Sequence, residues 1–289
     1  MVCSFFEEIF SYEKFPVEHE CLKQLKETDL NYIAVPWTQI LNSHWLNYPN
    51  KQPKEYYFKT LSEFKTDQTN NFTVCQHDSY LALENYYKHL NITKVFTPLR
   101  DKTEREINGV KFIPIPFTNS FSFDTTQKRD ILFSFVGTFT SHPIRERMKL
   151  RVNGVNVIYR DQYHVCTEMF FQDSIKEKEE TEYQNILQRS KFSLCPRGSS
   201  CSSVRFWESI HAGAVPILIS DNWDLPDWDW NNTIIKIKEE DFEKMNYNDI
   251  QETLNSIDIK KIDQLQQNCA KASKEFQQTN FNKYIRSKI

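Results

Sequence analysis

Residues 191–221, KFSLCPRGSSCSSVRFWESIHAGAVPILISD, constrain the fold more than any other stretch of the chain. A short apolar run at 192–195 is broken by Pro196, Arg197 and Gly198. Ser202 or Ser203 can then cap a helix that runs to about Ala212. Gly213 suits the left-handed residue that ends such a helix. A second apolar run, 214–219, leads into Ser220 and Asp221. Two buried strands joined by one helix in about 30 residues form a βαβ unit, which commits this region to a parallel sheet.

The start of that helix is electrically unusual. Arg205 falls in the first turn, where the helix macrodipole disfavours a cation by roughly 0.3–1 kcal/mol. The loop before it carries Arg197, Gly198, Ser199, Ser202 and Ser203, and the first N–H groups of the helix point outward. Together these groups suit an anion such as phosphate. Glu208 follows Arg205 by three residues and shares its face. A carboxylate beside an anion site can accept hydrogen bonds from sugar hydroxyls. The same spacing also fits an Arg205–Glu208 surface ion pair on an ordinary helix capped by Ser203.

The run resembles the motif of exostosin-type glycosyltransferases: Phe-x-Leu-x-Pro-x-Gly, then Ser-x-Arg-x-x-Glu, then Gly-x-x-Pro and a strand ending in Asp. The matching residues are Phe192, Leu194, Pro196, Gly198, Ser203, Arg205, Glu208, Gly213, Pro216 and Asp221. The likeness is strong over residues 130–240 and weak before them. It implies a GT-B fold: α/β, two Rossmann-like domains with parallel sheets facing a cleft and a C-terminal helix crossing back. It also implies an inverting transferase that uses a nucleotide-diphosphate sugar.

The bulk properties exclude several other classes. A chain of 289 residues is long enough for two domains. Its net charge of −3 provides no global basic field for nucleic acid, so an anionic ligand needs a local arginine cluster. The seven cysteines are odd in number and never spaced CxxC, which points to reduced thiols and away from a disulfide framework or zinc site. No apolar run approaches the length of a membrane span. The first residues, MVCSFFEEIF, lack the basic start of a signal peptide. Animal and plant relatives usually carry an N-terminal Golgi anchor. The expectation here is a cytoplasmic protein, bacterial or viral by its Asn and Lys richness, unless an anchor has been trimmed away.

The order of elements fits two doubly wound halves. In the first, a helix at 18–27 precedes an apolar strand at 30–35, stopped by Pro36. Trp37 and Thr38, a pair also seen in small exostosin-like relatives, open a helix running to Leu46. Another helix at 56–65 and strands at 72–76, 94–97 and 110–116 follow. Polar residues 118–128 suit a linker. Strand 130–136 then ends at Gly137, ahead of a helix at 144–150, as in the first βα turn of a Rossmann half. It lacks GxGxxG, so a dinucleotide is not expected. A strand at 155–159 and a charged helix at 176–189 lead into the motif. After it come a Trp- and Asp-rich loop, a strand at 233–237, and helices from 239 onward with breaks near Asn246 and Asp258. The domains expected are 1–128 for the acceptor, 129–265 for the nucleotide sugar, and a returning helix at 266–289.

Glycosyl transfer must stabilise the leaving diphosphate, hold the donor sugar and deprotonate the acceptor hydroxyl. The resemblance implies Arg205 on the diphosphate, supported by Arg145 and Arg197, with Gly137 and Gly198 allowing close approach and Ser199, Ser202 and Ser203 donating hydroxyls. Arg145 could equally be a solvated helix residue, and Arg197 a paired loop residue. Glu208 would bind ribose or sugar hydroxyls. The base should come from the first domain, at the C-terminal end of a strand. His77 and Asp78 stand there, with Asp78 the first choice; the rival reading has His77 binding acceptor and Asp78 capping the next helix. Asp227 and Asp229 form a DxD, but in a Trp-rich loop that suits packing better than metal. No cofactor or metal is expected, and the partners are a nucleotide sugar, UDP-linked by family habit, and a glycan acceptor. Trp37, Trp45 or Trp223 could line an acceptor groove. The competing reading is a non-catalytic module that keeps the donor site but lacks a working base. A P-loop enzyme is disfavoured, because GxxxxGK[ST] is absent.

Overall fold

The computed structural model describes residues 16–43, 51–119, 121–160 and 173–289. The chain divides into two units, one of residues 1–118, 222–226 and 276–289, the other of 119–221 and 227–275. Both are α/β units built on largely parallel sheets, as expected of two Rossmann-like domains.

In the first unit, α1 (Pro16–Leu25), α2 (Trp37–Leu41) and α3 (Lys54–Glu63) precede β1 (Asn71–Val74). A short 3-10 turn leads into α4 (Glu84–His89), followed by β2 (Ile92–Thr97), β3 (Glu106–Ile107) and β4 (Val110–Pro114). The sheet order is β1-β2-β4-β3. β1, β2 and β4 are parallel, and β3 pairs antiparallel with β4. That hairpin turns on Asn108 and Gly109, both at positive φ (51° and 83°), the Asn-Gly signal for a two-residue turn. The strand expected at 30–35 is reduced to a parallel bridge, Tyr32 to Phe72, with Ile33 N–H donating to Phe72 O at 2.8 Å. Pro36, which has no N–H, stops it from lengthening.

Two of the tryptophans that could have lined an acceptor groove, Trp37 and Trp223, belong to this core. Trp37 is fully buried and donates from Nε1 to Thr73 Oγ1 at 2.9 Å. Trp223 is 3% exposed and donates to Pro98 O at 3.0 Å. Trp45 and the expected extension of α2 to Leu46 lie outside the described residues. Residues 222–226 join the first unit by pairing Trp223 antiparallel with Asp101, and an Arg100–Asp224 ion pair fastens them. The C-terminal return is also present: α11 (Phe281–Arg286) packs on α1, where Asn282 N–H donates to Gln24 Oε1 at 3.0 Å.

The second unit has β5 (Ile131–Thr138), α5 (Pro143–Arg151), β6 (Val157–Arg160), α6 (Asp173–Arg189), β7 (Ser190–Pro196), α7 (Val204–Ala212), β8 (Val215–Ile219) and β9 (Ile235–Lys236). The order is β6-β5-β7-β8-β9, with every pairing parallel. β7 and β8 are buried almost throughout, which is why they read as unbroken apolar runs rather than alternating ones. Gly213 ends α7 at φ 73°. Three helices close the unit: α8 (Glu239–Phe242), α9 (Tyr247–Asn255) and α10 (Ile259–Glu275). Asn246 makes the first polar break by forming a capping box with Asp249.

The unit boundary falls ten residues before the expected one, at Thr118/Asn119. The supposed linker is anchored: Asp124 N–H donates to Gln188 Oε1 at 3.1 Å. Arg129 donates to Gln188 O, Ser190 O and Ala212 O at 2.9, 2.8 and 2.6 Å. Residues 266–275 complete α10 in the second unit, so the returning segment begins at Phe276. Cys21, Cys75, Cys195, Cys201 and Cys269 are buried free thiols, and Cys3 and Cys166 lie outside the described residues. Among the described residues no helix is long and apolar enough to cross a membrane.

Candidate active site

The C-terminal ends of β5 and β7 and the N-terminus of α7 bring most of the motif together in the second unit. Ser203 is the N-cap residue of α7, in extended conformation, yet its hydroxyl makes no cap bond. The side chain is buried and Oγ has no hydrogen-bond partner. A buried hydroxyl without a partner is costly. Ser200 and Ser202 bond to each other through their hydroxyls at 2.8 Å, and Gly198 N–H donates to Ser202 O at 2.9 Å. These contacts hold the loop in a tight turn. Ser199 sits at its tip, exposed.

Arg205, one residue into α7, reaches across to β5. Its Nη2 donates to Val136 O, and its guanidinium lies over the Phe135 ring, 4.4 Å from the centroid. Its Nε is buried and has no partner. Gly137 makes this reach possible: the three atoms nearest to a Cβ at that position are all in the Arg205 guanidinium, with Cζ at 3.2 Å.

Arg145 is 6% exposed, buried rather than solvated. Its guanidinium donates to Arg197 O at 2.8 Å, Thr138 O at 3.2 Å and Pro196 O at 2.8 Å. It ties the ends of β5 and β7 together at the point where the loop departs. Arg197 donates from Nε to Ser200 O at 3.1 Å and stands 3.9 Å from the Glu239 carboxylate. Glu239 is in turn locked to the motif's last residue, accepting from Asp221 N–H at 3.1 Å. His142 caps α5 beside this group; burial and then the Arg197 charge push its imidazole pKa down.

Glu208 does not pair with Arg205 on the surface. Its carboxylate accepts a hydrogen bond from the Tyr183 hydroxyl of α6. Burial raises the Glu208 pKa, against the Tyr183 bond and the Arg205 charge, and burial also raises the Tyr183 phenol well above its ordinary range. The DxD aspartates bracket Trp228, which tilts against Trp230; Trp230 in turn packs edge-on to Trp207 of α7 and against Phe206. Asp229 accepts from Asn232 Nδ2 at 2.9 Å.

In the first unit, His77 and Asp78 follow β1 at its C-terminal end. Ser79 N–H donates to His77 Nδ1 at 2.9 Å, which leaves the imidazole proton on Nε2, 3.1 Å from Asn42 Oδ1. Both ring nitrogens are engaged. Asp78 is exposed. Directly behind this turn lies Glu18 of α1, a residue that sequence reasoning missed. It is 2% exposed, and burial raises its pKa to about 7. Tyr183 was missed as well. Neither belongs to a motif, and both act through partners far away in the chain.

The structure thus gathers Gly137, Arg145, Arg197, Gly198, Ser199, Ser202, Ser203, Arg205 and Glu208 within one unit, and His77 with Asp78 in the other. Residues 57–257 match the family model for the Exostosin GT47 domain. The chain is similar to an exostosin-1 homolog of Caenorhabditis elegans, 44% identical over 63 residues, which are 21% of this chain and 16% of that protein. Exostosin-1c of Danio rerio is 41% identical over 64 residues, 21% of this chain and 9% of that protein. The matches therefore span only a small part of these curated relatives. Among solved structures, the pneumococcal O-GlcNAc transferase GtfA, in complex with UDP and GlcNAc, aligns with 81% of this chain and 47% of its own at 10% identity and a TM-score of 0.35.

Proposed function

Because the chain belongs to the Exostosin GT47 domain family, we propose that it is an inverting, metal-independent glycosyltransferase of the GT-B class. It moves a sugar from a UDP-linked donor to a hydroxyl of a glycan acceptor. One observation carries the donor half: two buried polar groups without partners, Ser203 Oγ and Arg205 Nε, at the N-terminus of a nine-residue helix that opens from strand ends. A diphosphate supplies oxygens for both, and the helix end and the Arg205 charge stabilise it as it leaves. Arg197 and the serines of the loop complete the cradle. Arg145 acts one step behind, holding the carbonyls that shape it. Glu208, fixed by Tyr183, is aimed at donor hydroxyls.

For the base we propose Asp78. It is exposed at a strand end, where acceptor hydroxyls can reach it. His77 is the weaker candidate, because the lone pair it needs to accept a proton already receives Ser79 N–H. Its role is to orient the turn and contact the acceptor.

A thermal-shift screen of UDP, GDP, ADP and a panel of UDP-sugars, with and without EDTA, tests the donor half. Ligand at 100 times its dissociation constant stabilises by about 2.7 kcal/mol. The expected result is a UDP shift in the wild type that survives EDTA and disappears in Arg205→Ala. No shift with any nucleotide overturns the donor site. A shift that needs metal overturns metal independence and returns Asp227 and Asp229 to consideration.

A further inference from the structure

Glu18 is a carboxylate in the wrong place for a structural residue. It is buried on the apolar side of α1, and the buried titratable groups coupled to it are neutral at pH 7, with His77 and Asp78 on the turn beyond them. The buried groups are Cys21 on α1, Tyr32 on the bridged segment, Cys75 at the end of β1 and Tyr87 on α4, each coupled to it electrostatically. No salt bridge to Glu18 is present among the described residues. Its oxygens instead receive hydrogen bonds from two separate turns. Thr38 donates from Oγ1 at 2.6 Å and from its backbone N–H at 3.2 Å, at the start of α2. Gln76 N–H donates at 2.8 Å, one residue before His77. The Gln76 side chain answers by accepting from Val17 N–H at 3.1 Å.

These bonds close a ring. Glu18 holds Gln76; the next residue, His77, bonds Asn42; Asn42 caps the C-terminus of α2, its N–H donating to Thr38 O at 3.1 Å; Thr38 returns to Glu18. The turn that carries Asp78 is fixed at one end by the carboxylate and at the other by the imidazole.

We propose that Glu18 is a positioning residue of the acceptor half, which sets where His77 and Asp78 stand by closing this ring. The inference rests on the assignment of Asp78 as base. The ionised carboxylate closes the ring best, because Oε1 receives Thr38 Oγ1, Thr38 N–H and Gln76 N–H while Oε2 shares Thr38 N–H at 3.3 Å. Protonation at Oε2 costs only the shared Thr38 N–H contact there, but it leaves Oε1 a neutral and therefore weaker acceptor for the other three bonds. Acidification through about pH 7 therefore loosens the turn.

The test compares wild type, Glu18→Gln and Asp78→Asn. The first readout is independent of turnover: backbone amide shifts of Gln76 and Ser79 followed from pH 5 to 8.5. They are expected to move with a midpoint near 7 in the wild type, and that step is expected to vanish in Glu18→Gln. The second readout is UDP release from the UDP-sugar giving the largest thermal shift, against a panel of mono- and oligosaccharide acceptors. Glu18→Gln is expected to keep its UDP thermal shift and lose on the order of tenfold to a hundredfold in kcat/KM for acceptor, the scale of a misplaced reacting group. Its rate should also lose the acid limb that the wild type shows near pH 7. Amide shifts and a pH–rate profile identical to wild type in Glu18→Gln would overturn the positioning role. Full activity of Asp78→Asn would instead overturn the base assignment, leaving the amide result to decide on Glu18 by itself.

Discussion

Replacing Gly137 with alanine tests the geometry around Arg205 without touching the motif. The new Cβ has only the Arg205 guanidinium as its nearest neighbours, inside contact distance of Nη2 and 3.2 Å from Cζ. The guanidinium must move off Val136 O and away from the Phe135 ring. A hydrogen bond from a charged donor contributes about 1.5–3 kcal/mol, and a half-exposed cation–π contact about 0.5–1 kcal/mol. The φ of Gly137 is not in the left-handed region, so alanine itself fits the backbone and lowers unfolded-state entropy, a gain of about 0.4–1 kcal/mol. The expected net loss is about 1–3 kcal/mol, because the side chain can relocate partway. In an Arg205→Ala background the clash is gone and only the gain remains, so the same substitution becomes neutral or mildly stabilising. A double-mutant cycle read by denaturation midpoints measures the difference, which should exceed about 1 kcal/mol. Equal losses in both backgrounds would show that Gly137 serves something other than the reach of Arg205.

Two further outcomes follow from groups that the structure buries. Glu18 titrates near 4.5 when unfolded and about 7 when folded, so the native state holds a proton that the unfolded state has released. Stability is therefore fully present below about pH 4.5 and is lost as pH rises through 7, by roughly 3 kcal/mol at 1.36 kcal/mol per unit. Glu18→Gln should remove that slope, so melting curves at pH 5 and pH 8 should give a variant-minus-wild-type difference that grows with pH; a constant difference refutes the shift. Arg145→Ala leaves Thr138 O, Pro196 O and Arg197 O without their donor, each worth about 1–3 kcal/mol, so the protein should lose more than about 3 kcal/mol of stability with Arg145→Lys intermediate. An Arg145→Ala protein with wild-type melting and no UDP shift would instead make Arg145 a direct phosphate contact.

The second unit was more legible in the sequence than the first, for a physical reason. Its site is built from one βαβ step, so residues close in sequence are also close in space. Ser203, Arg205, Glu208 and Gly213 take their places from helix periodicity and capping alone. What spacing could not show is the direction of each side chain. Arg145 is solvated or buried according to whether strand-end carbonyls need a donor, and that depends on how β5 and β7 terminate. Glu208 meets Tyr183 only because α6 packs beside α7. Gly137 announced a close approach, since a chain with five glycines rarely places one at a strand end by chance, but not that the approaching group is Arg205. In the first unit, β4 and the strand end at Gln76 were readable from apolar runs. The ring around His77 was not, because Glu18, Thr38, Asn42 and Gln76 come from four separate segments with polar residues at positions that carry no periodic signal.

The two units handle their buried polar groups in opposite ways, and the difference matches the roles proposed for each half. An anion site has to keep donors unmatched until the anion arrives, since donors already satisfied within the protein offer the ligand little. Ser203 Oγ and Arg205 Nε remain without partners in that sense, beside a turn held by the Ser200–Ser202 and Gly198–Ser202 hydrogen bonds. Proton abstraction asks for the reverse: an exposed carboxylate whose direction is fixed, because a base within reach but wrongly aimed gains nothing from reach alone. Around Asp78 the neighbouring groups are engaged, with His77 bonded through both nitrogens and Gln76 through both its backbone and its side chain. A group that is exposed but braced by saturated neighbours is what a positioned base requires. Under the roles proposed above, Glu18 is the brace, and its removal misdirects the base.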